Sequence, residues 1–306
     1  MAAESRRRFL TKSTQLSAAA LASTWLPRRA FSNPLGRPVG IQLYTVNVAM
    51  REDPAGTLRK LRDIGFGEVE AAGFGKLSAR QFRQLLDDAG LACPSAHLQF
   101  DINNLDRTFE DAHALGAAYA TTGSLPPPAR DSKSAPASSK RSMSLDEAKH
   151  TAEFVNRVGA AAKRAGLQYI YHNHDFEFAD LGGGAIGYDV LLRETDPDLV
   201  KFEIDCGWMI FAGHDPIEYF RKHPRRFPMI HVKDFLPAHD KSAAAGGAAE
   251  MLGAELGRGV VDYKPIFAAA KKAGLQHYFV EQEGPFSRMD PLQAVRVDYD
   301  YLHAMD

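Results

Sequence analysis

From Val39 onward, short apolar runs alternate with longer stretches in which apolar residues recur every three or four positions, and glycine punctuates most of the changes. The short runs have the pattern of buried strands, and the longer ones that of amphipathic helices. VGIQLYT predicts the first strand, and a helix over about 54–64 follows it, with Leu58, Leu61 and Ile64 on one side and Gly65 as its stop. EVEAAGF, ACPSAHL, AYATTGS, QYIYHNH, LVKFEID, PMIHVKD and HYFVEQE predict seven more strands. The helices between and after them are expected over about 78–89, 105–115, 144–165, 188–194, 216–222, 263–273 and 291–303. Ser78 suits an N-cap, while Gly90, Gly116, Gly166 and Gly274 suit helix stops. Eight alternations within about 270 residues predict an α/β fold closed as a single (β/α)8 TIM barrel. An open dinucleotide-binding sheet is disfavoured, because no GxGxxG follows the first strand.

Alternation along the later strands predicts a polar interior at one end of that barrel. Glu203 and Asp205 share a face against Phe202 and Ile204, His231 and Lys233 against Ile230 and Val232, and Glu281 and Glu283 against Val280 and Gln282. On the fifth strand His172 and His174 lie opposite Tyr171 and Asn173. A parallel barrel points all its strand ends at one face, so His172, Asp205, His231 and Glu281 are expected to converge. Buried carboxylates in that number cost several kcal/mol each unless paired or bound to a cation. Two imidazoles and two carboxylates suit one divalent ion. The metal-free alternative is an ion-pair network linking Glu203, Asp205, His231 and Lys233.

Composition and charge narrow the partners. The chain has 306 residues and a net charge of -1, with no basic excess to attract nucleic acid. Cys93 and Cys206 both fall in predicted buried strands, so a disulfide framework is not expected. SRRRFLTK at 5–12, followed by the alanine-rich TQLSAAALASTWLP, resembles a twin-arginine export signal with Arg6 and Arg7 as the pair. Residues 1–33 are therefore expected to be a removable leader and 34–306 the barrel, which places the mature protein in the periplasm without a membrane span. The leader holds six basic residues and one acidic one, so its removal leaves a net charge of -6. Two long loops, 124–142 and 236–261, follow predicted strands on the catalytic face, where either can serve as a lid or a contact within a homo-oligomer.

The runs GIQLYTV, VEAAGF, SAHLQF, YHNHDFEF, FEIDCGW, HVKDF, GRGVVDYKPIF and FVEQEG together resemble the xylose isomerase-like barrel superfamily, specifically its sugar phosphate isomerase/epimerase group. The resemblance covers the chain from Val39 onward. It implies one divalent ion, manganese first and zinc, cobalt, iron or magnesium as alternatives, and a sugar or keto-sugar as the small-molecule partner. Asp205, His231 and Glu281 match that group's ligand positions directly. At the strand-five position the group has glutamate and this chain has His172, so either His172 or Glu177, folding back from the loop, is expected as the fourth ligand. The chemistry implied is proton abstraction next to a carbonyl, with the metal stabilising the enediolate. Glu281 is the first candidate for base, with His172, His174 and Glu177 for the second proton transfer, and Lys233 is placed to hold the developing oxyanion or to pair with a carboxylate. Glu70 and His97 are expected to bind sugar hydroxyls, and Trp208 to stack on a ring or pack beneath a loop. Isomerisation or epimerisation is the leading reading. The alternatives are a lyase or hydratase of a 3-keto-glycoside or inosose, and a non-catalytic sugar-binding barrel.

Overall fold

A computed structural model describes residues 35–123, 142–236, 252–284, 286 and 288–305. The expected leader lies outside them, as does most of each long loop. Eight parallel strands close a barrel: β1 (Gly40–Gln42), β2 (Glu68–Ala72), β3 (Ala92–Leu98), β4 (Tyr119–Thr122), β5 (Gln168–His172), β6 (Val200–Asp205), β7 (Met229–Val232) and β10 (His277–Val280). A short antiparallel pair, β8 (Asp234–Phe235) and β9 (Gly253–Ala254), stands apart from it. The barrel order is β1-β10-β7-β6-β5-β4-β3-β2. The main apolar core lies between strands and helices, where Ile41, Val69, Ile204 and Val232 meet residues such as Leu58, Phe82 and Val155.

Inside the barrel, Ile170, Met229 and Phe279 form a separate fully buried apolar cluster, with Tyr119 packed against it. Gly40 makes room for this plug, since a Cβ there would lie 2.5 Å from Phe279 Cδ1 and 2.7 Å from the Tyr278 carbonyl oxygen. Hydrogen-bonded register aligns the next tier above. Asp205 pairs with His231 across β6 and β7, and Phe279 with His231 across β7 and β10.

Three local features depart from the sequence expectation. The first strand ends at Gln42, because the Gln42 side chain accepts a hydrogen bond from the Tyr44 N–H and turns the chain into a 3-10 turn and the helix Asn47–Glu52. The sixth strand runs directly into the helix Cys206–Phe211, so Cys206 opens a helix rather than lying in a strand; both cysteines are buried and free. Part of the predicted 236–261 loop is ordered by Asp234, whose carboxylate accepts from the N–H groups of Gly257, Gly259 and Val261. Among the described residues no helix is long and apolar enough to cross a membrane.

Candidate metal centre

The turn after β6 fixes the orientation of Asp205. Its Oδ1 caps the following helix by accepting from the Trp208 N–H at 2.8 Å, and its own N–H donates to Asn173 Oδ1 at 3.1 Å. Oδ2 is thereby turned into the barrel, where it has no hydrogen-bond partner although Lys233 Nζ lies 2.9 Å away. Gly207 allows this helix to sit close, because a Cβ there would lie 2.9 Å from both the Cβ and the carbonyl oxygen of Lys233. The Tyr263 hydroxyl braces the backbone of Lys233 from behind, at 2.6 Å from its nitrogen and 2.7 Å from its oxygen.

His172, Asp205, His231 and Glu281 converge, each offering a ligand atom within 4.8 Å of the others, and all four are buried. His231 Nδ1 is 2.9 Å from Glu281 Oε2 and 3.8 Å from Asp205 Oδ2. A second set, His97, His172, Glu203 and His231, meets the same distance condition one tier lower, with His97 only partly buried. Glu203 Oε2 lies 3.2 Å from His231 Nε2 and 3.4 Å from both His97 Nε2 and His172 Nδ1. His172 Nδ1 and Glu203 Oε1 are further buried polar atoms without a hydrogen-bond partner. These two orphaned atoms, beside an Asp205 Oδ2 whose one close partner is the Lys233 ammonium, fit a site for a divalent cation.

Lys233 supplies part of the countercharge, with Nζ 2.9 Å from Asp205 Oδ2, 2.9 Å from Glu281 Oε2 and 2.5 Å from Glu283 Oε1. It therefore pairs with Asp205 but with Glu281 and Glu283 in place of Glu203. Burial would raise the Glu281 carboxyl, but Lys233 and His231 overcome it and hold the group well below the usual carboxylate range. Burial would likewise raise Glu203, which His231, His172 and His97 pull well below that range. Asp205 goes the other way, raised by burial and by Glu281 despite Lys233. Burial disfavours a charged His97, yet Glu70 and Glu203 raise it to about 9. For His174, burial together with His172 and Lys233 keeps the ring well below its ordinary value and therefore neutral at pH 7.

A cavity of about 620 Å³ opens above this group, lined by His97, His172, His174, Glu281 and Glu283, with Tyr44 and Phe74 on one wall. Two residues expected at the substrate lie elsewhere. Glu177 is fully buried outside the ligand group, accepting from the Tyr171 hydroxyl at 2.9 Å and the His174 N–H at 3.0 Å. The 3-10 turn Phe176–Phe178 directs it there, so it shapes the loop after β5 instead of folding back as a ligand or sugar contact. Glu70 is also fully buried, below the cavity, and its bonds go to protein partners rather than to open space. Trp208 donates its Nε1–H to Glu283 at 3.1 Å and lies 5.1 Å beneath Lys233 Nζ, so it packs at the edge of the charged group. Sequence reasoning gave no role to Glu283 or Ser95, although each lies two residues from a candidate on the same inward face, Glu281 and His97.

Residues 58–304 match the family described as xylose isomerase-like TIM barrel. An inosose dehydratase from Lacticaseibacillus casei is 28% identical over 169 residues, which are 52% of this chain and 55% of that protein. The chain thus spans about half the length of the curated relatives it matches. Among solved structures, a sugar phosphate isomerase/epimerase from Parabacteroides distasonis is 25% identical with a TM-score of 0.67, covering 87% of this chain and 94% of that one. An L-ribulose 3-epimerase shares the fold at 15% identity and a TM-score of 0.63, over 86% and 92% of the two chains.

Proposed function

This chain belongs to the xylose isomerase-like TIM barrel family, and from that premise we propose that it is a divalent-metal-dependent isomerase or epimerase of a sugar or keto-sugar. The observation that carries the reading is the convergence of His172, Asp205, His231 and Glu281 at the floor of an open cavity at the strand ends. These four residues would hold the ion, with manganese as the first choice. When bound, it supplies Lewis-acid polarisation of a substrate carbonyl. Glu281, held ionised and facing the cavity, takes the proton from the adjacent carbon. His174, neutral and also facing the cavity, is the second group able to accept or return a proton. Lys233 keeps Glu281 charged while Glu283 and Asp205 share its ammonium. Among the described lining residues there is no lysine or arginine, which favours a hydroxyl-rich substrate without a phosphate group.

The similarity to inosose dehydratase supports a second reading, in which the same proton abstraction is followed by loss of a β-substituent. Export by the twin-arginine route is part of the proposal and rests on Arg6 and Arg7. Metal analysis of wild type and Asp205→Ala, followed by NMR in deuterated water with a panel of keto-sugars, tests the whole. About one equivalent of metal lost in the variant, with deuterium entering next to the ketone, is the expected result, and the product separates epimerisation from elimination. No metal and no exchange would leave a sugar-binding barrel instead.

A further inference from the structure

The two overlapping ligand sets pose a choice. Both use His172 and His231, so the ion that the proposed function requires has two neighbouring tiers available to it. Which tier it takes depends on which nitrogen of His231 is free to ligate, because Nδ1 faces Asp205 and Glu281 while Nε2 faces Glu203. Glu70 bears directly on that nitrogen. Its Oε2 lies 2.7 Å from His231 Nε2, closer than any other carboxylate oxygen recorded around that ring, and 3.1 Å from His97 Nε2. A carboxylate at such a distance accepts a hydrogen bond and keeps the proton on Nε2. The lower set then loses two of its nitrogens, and His231 is left with Nδ1 as its ligating atom.

Glu70 is itself held rigidly. Gln42 Nε2 donates to Oε2 at 2.8 Å, Ser95 Oγ donates to Oε1 at 2.5 Å, and Ser95 is 2.8 Å from Thr121 Oγ1. These partners come from β1, β3 and β4, whereas His231 comes from β7, which is not adjacent to β2 in the barrel. The contact is therefore a tether across the interior, anchored on one wall and ending on the imidazole of the other. Gln42, Glu70 and Ser95 are all fully buried, so water does not compete for these bonds.

We propose that Glu70 is a positioning residue which fixes His231 as an Nδ1 ligand and thereby selects the His172, Asp205, His231 and Glu281 tier over the lower one. The proposal rests on the metal-dependent reading above. Its test is manganese and zinc affinity by competition titration for wild type, Glu70→Gln and Glu70→Ala, with long-range nitrogen–proton NMR of the zinc-loaded proteins to report the His231 tautomer. Outer carboxylates of this kind are worth about 10- to 100-fold in metal affinity. Glu70→Ala is expected to weaken binding within that range and to lose the Nε2 proton signal of His231. Glu70→Gln, which retains an acceptor oxygen of the same shape, is expected to keep the signal and recover most of the affinity, which also covers the case in which the alanine variant fails to fold. Unchanged affinity and tautomer in the alanine variant, or a glutamine variant in which the tautomer is lost, would overturn the proposal. A wild-type protein that takes up neither metal would remove the metal-dependent reading and this inference together, whereas the former results remove this inference alone.

Discussion

The barrel interior has two halves that lie only two residues apart on the same strands. Ile170 precedes His172 on β5, Met229 precedes His231 on β7, and Phe279 precedes Glu281 at the end of β10. The lower members form the apolar plug, and the upper members form the candidate metal centre. Both tiers are buried to a similar degree, yet the physical terms differ. The plug gains stability from transfer out of water and from dispersion contacts, and it needs no partner of complementary charge. The upper tier has carboxylates taken out of water and compensated by Lys233 and by the histidines around them, so each group there is held in place by the others. Substitutions in the two tiers are therefore expected to fail in different ways.

The largest contrast is expected from Glu281→Gln, which should slow proton abstraction by about 10²- to 10⁴-fold while the fold survives. Deuterium exchange into substrate and circular dichroism of the same sample separate the two effects, and wild-type exchange in this variant would dissolve the functional half of the contrast. Phe279→Ala should do the reverse, costing about 3–5 kcal/mol in denaturant unfolding but leaving metal stoichiometry unchanged. Loss of metal by that variant under folded conditions would mean that the tiers are not separable. A smaller effect is expected from metal itself: ion at 100 times its dissociation constant should stabilise wild type by about 2.7 kcal/mol, and Asp205→Ala should abolish that increment. Thermal melts with and without chelator measure it.

A separate effect concerns a buried acid outside both tiers. Burial first, then Glu255 and Asp234, push the Asp298 carboxyl up to about 8, against a hydrogen bond from the Leu256 N–H. A folded-state value above the unfolded one means that the native protein binds more protons across the interval. The stability contribution is complete below the unfolded carboxyl range and declines as pH rises toward 8. Asp298→Asn should flatten that decline in melts recorded between pH 5 and 9. A variant with the same slope as wild type would show that this acid does not titrate in that window.

Much of this contrast is legible in the chain. Alternation with a period of two placed Glu203 with Asp205, His231 with Lys233 and Glu281 with Glu283, and each pair lies together in the structure's charged interior. The signal fails where the strand period stops. Glu177 lies beyond β5 in a 3-10 turn, which carries its carboxylate to Tyr171 instead of the ligand group. The early 3-10 turn Leu43–Val46 and the short helix after β6 are equally illegible, because each is set by one side chain, Gln42 or Asp205, capping backbone that the run of apolar residues would otherwise extend.

By itself, then, the sequence determined the barrel, the direction of its strands and which residues face inward, because these follow from local periodicity and from glycine and capping chemistry. Only the tertiary structure decided that Glu70 lies beneath His231 instead of in the cavity, that Lys233 joins three carboxylates, and which imidazole nitrogen faces which tier. Those outcomes depend on distances across the barrel between strands far apart in the chain, and no local pattern encodes them.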